Sequence, residues 1–398
     1  MEEILNLIKQ KASAYKTEVV EIRRYLHQNP ELSFKEFETS KYVCSKLDEY
    51  GIEYKGGYVK TGIIGLIKGN NPTKKVVALR ADLDALPIKE ENDVSYKSIN
   101  NGIMHACGHD VHTSSLLGAA KILNELRNKF EGTIKLIFQP GEELLPGGAS
   151  LMIKEGALEN PSPQSIFGQH VYPQLEAGKV GFKSGMYMAS TDELHVTVYG
   201  KGGHAALPHL VIDPILITSH IIVALQQIIS RNSHPTMPRV LSFGDIIGKG
   251  ATNIIPDKVE LKGTFRAMDE EWRESSHQKM KKMAEQIAES MGGKCEFNIL
   301  KGYPYLVNDE ELTTNAKNAA IKYLGKENVV DLDLRMTGED FAYYSQIMPA
   351  CFYRLGVKND AEGINSGLHT STFNIDENAI ETSIGLMAWL ALNELNNK

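Results

Sequence analysis

The sequence predicts an α/β protein made of one large domain interrupted by a smaller α+β insert. Helical and strand patterns alternate along the chain without internal repeats or low-complexity runs. At 398 residues the chain exceeds the length at which a single core usually stops growing, so two domains are expected. Between Met186 and about Leu300 the rhythm changes to strand, helix, two strands, helix and strand, a compact unit of its own. The expected division is therefore a discontinuous larger domain, 1–185 and 301–398, around an insert at 186–300.

Composition narrows the class. With 42% hydrophobic and 23% charged residues the chain reads as globular, and a formal charge of -7 offers no basic footprint for nucleic acid. The first thirty residues mix both charge signs with apolar residues at helical spacing, so no signal peptide is read there, and no membrane span is read elsewhere. Cys44, Cys107, Cys295 and Cys351 lie far apart and follow no disulfide framework, which suits a reducing cytoplasm.

The elements follow in order. Ser33 and Glu36 read as a capping box opening a helix that Gly51 closes, and apolar runs at Gly62 to Ile67 and Val76 to Leu79 read as buried strands. Asp82 and Asp84 fall just past the second strand, where ligands bind in open α/β sheets. The stretch GIMHACGHDVH puts Cys107 and His109 two apart, with His105 and His112 nearby, ahead of a helix carrying Leu116, Leu117, Ala120 and Leu123. A thiolate and an imidazole suit a borderline-soft divalent ion, and the start of a helix favours a thiolate. A histidine-rich surface loop is the plain alternative.

A strand at Thr133 to Gln139 runs into Pro140, Gly141, Glu142 and Glu143. Neighbouring loop side chains point different ways, so one glutamate can bind metal while the other acts as general base; a solvated acidic turn is the alternative. A strand at Ser165 to Gln169 ends in His170, and His369 follows a strand at Cys351 to Val357. Either histidine alone reads as structural, but a shared position after strand ends makes both candidates for one site. Glu339 and Asp340 read as a helix start. In the insert the strand Glu193 to Tyr199, the helices Ile212 to Ser230 and Glu270 to Met291, and strands at Val240 to Ile247, Lys258 to Ala267 and Lys294 to Leu300 carry three polar positions of note: His204, Asn253 and Arg266. On the residues alone, these read as turn formers or surface charge.

The motifs RRYLHQNPELSFKE, RADLDALP, MHACGHDVHT, FQPGEE, GGHAALPH, NIIPD, GTFR, TGEDF and GLHTSTF, in that order over nearly the full length, resemble the M20 family of metallopeptidases. The similarity is to its amidohydrolase branch, subfamily D, which includes N-acyl-amino-acid amidohydrolases, hippurate hydrolases and auxin-conjugate hydrolases. The resemblance implies a larger catalytic domain of zinc-exopeptidase type, phosphorylase/hydrolase-like, with a mixed, mostly parallel sheet flanked by helices. The insert would be a ferredoxin-like lid and dimerisation domain.

The resemblance also implies a site. Two divalent ions, zinc, manganese, cobalt or nickel, would share Cys107, with His109 and His170 completing one and Glu143 and His369 the other. Glu142 would be the general base, taking a proton from the attacking water and passing it to the leaving nitrogen, while Asp84 polarises a ligand imidazole. Asp82 stands where other branches carry a metal-binding histidine and is left without a role; His105, His112 and His27 receive no ligand role. His204 would stabilise the oxyanion, Arg266 would pair with the substrate α-carboxylate, and Asn253 would add a hydrogen bond. The expected substrate is a small N-acyl amino acid, and the expected assembly is a cytoplasmic homodimer formed through the insert, without nucleic acid or membrane partners. A dipeptidase or carboxypeptidase of the same family, and a metal-binding homologue without catalysis, are the competing readings.

Overall fold

A computed structural model describes residues 1–397. The chain forms two compact units, one of Met1–Gly185, Val307–Asp333 and Asp340–Lys398, the other of Met186–Leu306 and Leu334–Glu339. The insert thus returns at 307 rather than 301. Thr191 N–H donates to Tyr303 O at 3.0 Å and Tyr303 N–H to Thr191 Oγ1 at 2.8 Å, which keeps that stretch with the insert. Residues 334–339 join it through Arg335 N–H to Tyr187 O, 2.9 Å.

In chain order the elements before the insert are α1 (Glu2–Gln28), α2 (Phe37–Glu49), β1 (Glu53–Tyr58), β2 (Gly62–Lys68), β3 (Val76–Asp82), α3 (His109–Glu125), β4 (Thr133–Gln139), α4 (Gly148–Lys154), β5 (Ser165–Glu176), β6 (Val180–Phe182) and β7 (Gly185–Met188). The insert carries β8 (Asp192–Tyr199), β9 (Gly203–His204), α5 (Pro214–Arg231), β10 (Val240–Ile247), β11 (Ile254–Ile255), β12 (Lys258–Arg266), α6 (Glu270–Ser290) and β13 (Lys294–Lys301). Then come β14 (Leu306–Asn308), α7 (Glu310–Leu324), β15 (Val329–Asp331), α8 (Ala342–Ser345), β16 (Ala350–Lys358) and α9 (Ala379–Asn396).

The larger unit holds an eight-stranded sheet in the order β1-β2-β4-β3-β5-β16-β6-β15. Its four central strands, β4, β3, β5 and β16, run parallel, so their carboxyl ends share one edge. β3 and β4 are buried along their whole length, as strands covered on both faces must be. Chain order passes from β3 to β4 on one side and then to β5 on the other. This is a topological switch point, the place where such sheets bind ligands.

Helix α3 starts at that edge and packs against α1 and α9. A Cβ on Gly118 would lie 2.6 Å from Ile384 Cγ2 and 2.8 Å from Val19 Cγ2, so glycine sets how closely the three helices approach. Arg23 of α1 reaches the first turn of α3, with Nε 2.7 Å from Asp110 Oδ2, and His27 Nδ1 meets the same oxygen at 2.9 Å. These buried contacts tie the start of α3 to α1 and show a structural use for His27.

The smaller unit has the antiparallel order β10-β12-β8-β13, with α5 and α6 packed on its inward side chains. The succession β8, α5, β10, β12, α6, β13 in this order is ferredoxin-like. Leu194, Val196 and Val198 alternate inward against Ile217, Ile221, Leu225 and Ile228 of α5. Asp213 caps α5 by accepting from Ile215 N–H, and Asp269 caps α6 by accepting from Trp272 N–H. α5 is long and apolar enough to reach the composition of a membrane span, but it is a surface helix with its inward face in this core.

Two local expectations are corrected. Glu36 is the N-cap of α2, yet neither it nor Ser33 makes a capping-box bond: Ser33 Oγ donates to Asp84 Oδ2 at 2.6 Å and Glu36 turns to Gly141 and Thr61. The strand placed at Ser165 to Gln169 continues to Glu176, because β16 pairs beside it as far as Lys358↔Glu176. His170 therefore sits within a strand.

Candidate metal centre

The carboxyl edge of the parallel strands and the start of α3 bring five of the expected residues together. Cys107 Sγ lies 3.4 Å from His170 Nε2 and 3.3 Å from His369 Nε2. His369 Nε2 is 3.3 Å from Glu143 Oε1, and His109 Nε2 is 3.9 Å from that oxygen. Of the five donor groups among the described residues, two contain Cys107, one with His109 and His170 and one with Glu143 and His369, and a further group joins His109 to Glu142 and Glu143; within each group the donor atoms lie within 4.8 Å of one another. The two Cys107 groups share no other donor.

The backbone produces this convergence. Gly108 caps α3 with φ 83° and ψ 21°, which turns Cys107 and His109 towards one centre. There is no room for a side chain at that point, since a Cβ would lie 2.5 Å from Val171 Cγ2. His369 itself adopts φ 60°, a left-handed conformation costly for a non-glycine residue and typical of functional sites. Its N–H donates to Ala106 O at 2.9 Å, fastening the 369 loop to the Cys107 loop.

Hydrogen bonds set which ring nitrogens face the centre. His170 Nδ1 lies 2.8 Å from Val171 O, an acceptor only, so it carries the proton and leaves Nε2 bare. His109 Nδ1 faces Asp84 Oδ1 at 3.3 Å, and its buried Nε2 makes no hydrogen bond. A buried imidazole nitrogen without a hydrogen bond costs stability, and here its ion-pair partners, Asp82 Oδ2 and Glu143 Oε1, stay at 3.8 and 3.9 Å. Thiol, imidazole and carboxylate donors so arranged fit a divalent metal ion.

Charge at the centre is strongly biased. Burial alone would lower the His109 pKa, but Asp82, Asp84 and Glu143 outweigh it and push the imidazole up to about 10. Burial pushes the Cys107 thiol well above its ordinary value, and Glu143 and Glu142 add to the rise. This corrects the expectation that the start of α3 would favour a thiolate: in the metal-free protein two carboxylates and desolvation overcome the helix end. His170 is held well below the usual histidine range by burial and by Arg354. Glu143 raises His369 through their hydrogen bond.

Asp84 does more than face His109. It is buried and accepts the N–H of Glu142 at 3.1 Å and that of Glu143 at 3.0 Å, so one carboxylate fixes the backbone of both glutamates. Glu36 accepts the preceding Gly141 N–H at 2.9 Å. Burial, with Asp84 nearby, raises the Glu36 carboxyl to about 7. Glu142 Oε1 in turn accepts from Asp340 N–H at 3.3 Å, and Asp340 is paired with buried Arg80 at 2.6 Å. Glu36, Arg80, Asp340 and Ser33 are the supporting residues that sequence reasoning missed.

The insert residues are placed within their own unit. His204 is exposed on β9 opposite Ile254, and Ala205 N–H donates to Asn253 O at 3.0 Å, so the structure brings His204 and Asn253 together. Arg266 stands at the far end of β12, half-buried, with Nη1 making no hydrogen bond. Burial lowers its pKa.

Comparison with known proteins agrees with these features. Residues 78–393 match peptidase family M20/M25/M40. N-acetyl-L-cysteine deacetylase of Bacillus subtilis (strain 168) is 42% identical over 368 residues, 92% of this chain and 86% of that protein. IAA-amino acid hydrolase ILR1-like 5 of Arabidopsis thaliana is 39% identical over 378 residues, 94% of this chain and 86% of its own. The crystal structure of the Bacillus subtilis YXEP protein, described as a dinuclear metal binding peptidase of the M20 family, superposes with a TM-score of 0.83 at 35% identity, covering 97% of this chain and all of that one. The chain belongs to peptidase family M20/M25/M40 and, within it, to the amidohydrolase branch.

Proposed function

We propose that the protein hydrolyses the amide bond of N-acyl amino acids, giving a carboxylic acid and a free amino acid, at a centre of two divalent ions. The observation that carries this is Glu142: a buried carboxylate with its backbone pinned by Asp84, set beside two donor groups that share Cys107. A purely structural metal site has no use for such a base. The named relatives that act on N-acetyl-L-cysteine and IAA-amino acids support the same substrate class.

Cys107, His109 and His170 would hold one ion, and Cys107, Glu143 and His369 the other. The ions supply Lewis-acid polarisation of the carbonyl and a lower pKa for water. Glu142 takes the proton of the attacking water and returns it to the departing nitrogen. Asp84 keeps the His109 ring oriented and the Glu142 backbone fixed. Arg266, with Nη1 lacking a hydrogen bond, pairs with the α-carboxylate; His204 donates to the developing oxyanion, with Asn253 beside it.

Within the insert, Arg266 and the His204–Asn253 pair cannot serve one substrate from a single copy. The straight run of β12 from Lys258 to Arg266 spans about 26 Å at the usual rise per residue, and His204 pairs beyond its Lys258 end. The α-carboxylate and the acyl carbonyl of an amino-acid conjugate are separated only by the Cα and the amide nitrogen. A second copy supplying His204 resolves this. β10 is an edge strand with Ile246 and Ile247 exposed, and α5 exposes Ile215, Leu216 and Val223, an apolar surface suited to a homodimer through the insert. Four free cysteines fit a cytoplasmic location.

The test is Glu142→Gln assayed on N-acetyl and N-benzoyl amino acids and on dipeptides. Turnover falls by about 10²- to 10⁴-fold, the share supplied by general acid–base catalysis, while metal content stays at the wild-type level. Unchanged turnover removes Glu142 as the base. Cleavage of dipeptides alone by the wild type replaces the amidohydrolase reading with a peptidase.

A further inference from the structure

Asp82 and His112 are buried beside the candidate centre without belonging to either donor group that shares Cys107. Asp82, the last residue of β3, accepts from Arg80 Nη1 at 2.6 Å and from His112 Nδ1 at 2.6 Å. Its carbonyl accepts from Thr113 Oγ1 at 2.6 Å, anchoring the first turns of α3 to the end of the strand. The other ring nitrogen of His112, Nε2, lies 2.9 Å from Val171 N. A backbone N–H only donates, so Nε2 must accept, and the ring proton must sit on Nδ1 facing Asp82. This assigns the tautomer from geometry.

Val171 is the residue after His170, and β5 has no β3 partner at this point, because the β3 register ends at Arg80↔Gly168. The His112 ring takes the N–H that the ladder leaves over. The carbonyl of the same Val171 accepts from His170 Nδ1 and so determines which nitrogen of that ring is bare. The Val171 side chain rests against Gly108, between Cys107 and His109. One residue is therefore gripped by His112, directly follows and hydrogen-bonds His170, and rests on the glycine between Cys107 and His109. Asp82, His109 and His112 also lie close enough to form a donor group of their own. That alternative is closed to His112, since both of its nitrogens are engaged.

We propose that His112, oriented by Asp82, is a positioning residue that controls one ion of the pair, the one held by Cys107, His109 and His170, by fixing Val171 and through it the His170 ring. The proposal rests on the two-ion reading given above. It makes the two sites separable: loss of the His112 acceptor weakens one ion and leaves the Cys107, Glu143 and His369 group intact.

The experiment titrates the metal-free full chain with Co²⁺, following stoichiometry and the thiolate-to-cobalt absorption band. The wild type binds two equivalents. His112→Leu, of similar volume but without polar atoms, binds one of its two ions about 10- to 100-fold less tightly than the wild type does, the usual effect of losing a residue that orients a metal ligand. The thiolate band persists because Cys107 still serves the other ion. His112→Gln restores wild-type binding, since its amide oxygen can accept from Val171 N–H while its NH₂ donates to Asp82. Should His112→Leu fail to fold, Asp82→Asn takes its place: replacing an acceptor that faces two donors disturbs the same tautomer and weakens the same ion. Two equivalents bound with wild-type affinity by His112→Leu, or by Asp82→Asn where it stands in, or a His112→Gln variant as weak as the leucine one, overturn the proposal. A wild type that binds a single ion overturns the two-ion reading itself.

Discussion

Replacing Gly108 with alanine tests the backbone geometry on which the candidate centre depends. Gly108 has φ 83°, and a left-handed conformation costs an alanine about 1–2 kcal/mol. The added Cβ would lie 2.5 Å from Val171 Cγ2 and 3.2 Å from its Cγ1. Val171 is fully buried and β-branched, so it cannot rotate away cheaply, and overpacking of this kind costs about 1–3 kcal/mol. The sum, about 2–5 kcal/mol, corresponds to a fall in Tm on the order of 10 °C for a domain of this size. Thermal unfolding of the metal-free protein reads it directly. Adding Val171→Ala to Gly108→Ala removes the clash and leaves the conformational cost, so a double-mutant cycle gives a favourable coupling of about 1–3 kcal/mol. A Gly108→Ala protein within about 0.5 kcal/mol of wild type, or a cycle with no coupling, refutes the close approach of Val171 to the Cys107–His109 turn.

Two further outcomes follow from the charges and from the insert. In the metal-free protein His109 is raised to about 10, so its contribution to stability is present below the ordinary histidine pKa and is lost as pH rises through about 10; the raised Cys107 thiol is likewise protonated at neutral pH. Filling the centre at pH 8 therefore releases protons from both residues, detected by calorimetry in buffers of different ionisation enthalpy, and an absence of net release contradicts their role as ligands. Arg266→Ala and His204→Ala proteins, each inactive alone, recover about a quarter of wild-type activity when their subunits are exchanged, because half the dimers are mixed and each mixed dimer has one intact site. No recovery after demonstrated exchange shows that His204 acts within its own chain.

The parts of the fold that were legible in the sequence are those set by local pattern. β3 and β4 are short apolar runs with acidic residues at or just after their ends, and the structure finds both strands buried on both faces with their carboxyl ends on one edge. Cys107 and His109 could be read as candidate ligands because a thiol and an imidazole two apart suit a divalent ion, but a histidine-rich loop is an equal alternative until the motifs along the rest of the chain are added. The Ser33 and Glu36 pair was misread because a capping box is a local pattern, and in the structure both side chains instead serve partners brought near by the tertiary fold, Asp84 and Gly141. The same limit hid Asp340, which lies far along the chain from Arg80 and Gln139 and meets both in the core.

Asp82 shows why the remaining site chemistry was out of reach. In the sequence it occupies a position that other branches use for a histidine ligand, and residue type alone gives no reason for the change. In the structure its carboxylate receives Arg80 on one oxygen and His112 on the other, and the nearby His109 charge, with the His112 hydrogen bond and Arg80, holds its pKa well below the usual carboxylate range despite burial. A carboxylate so committed is poorly placed to act as a ligand as well. It does orient a ring that grips the backbone beside His170, so the position still serves the centre indirectly, through α3 and β5. The exchange is coherent only because His109, one turn before His112 on the same helix, presents an Nε2 that makes no hydrogen bond. Residues three apart share a helix face, and at the start of α3 that face divides the work between a metal donor and a residue that positions the next donor.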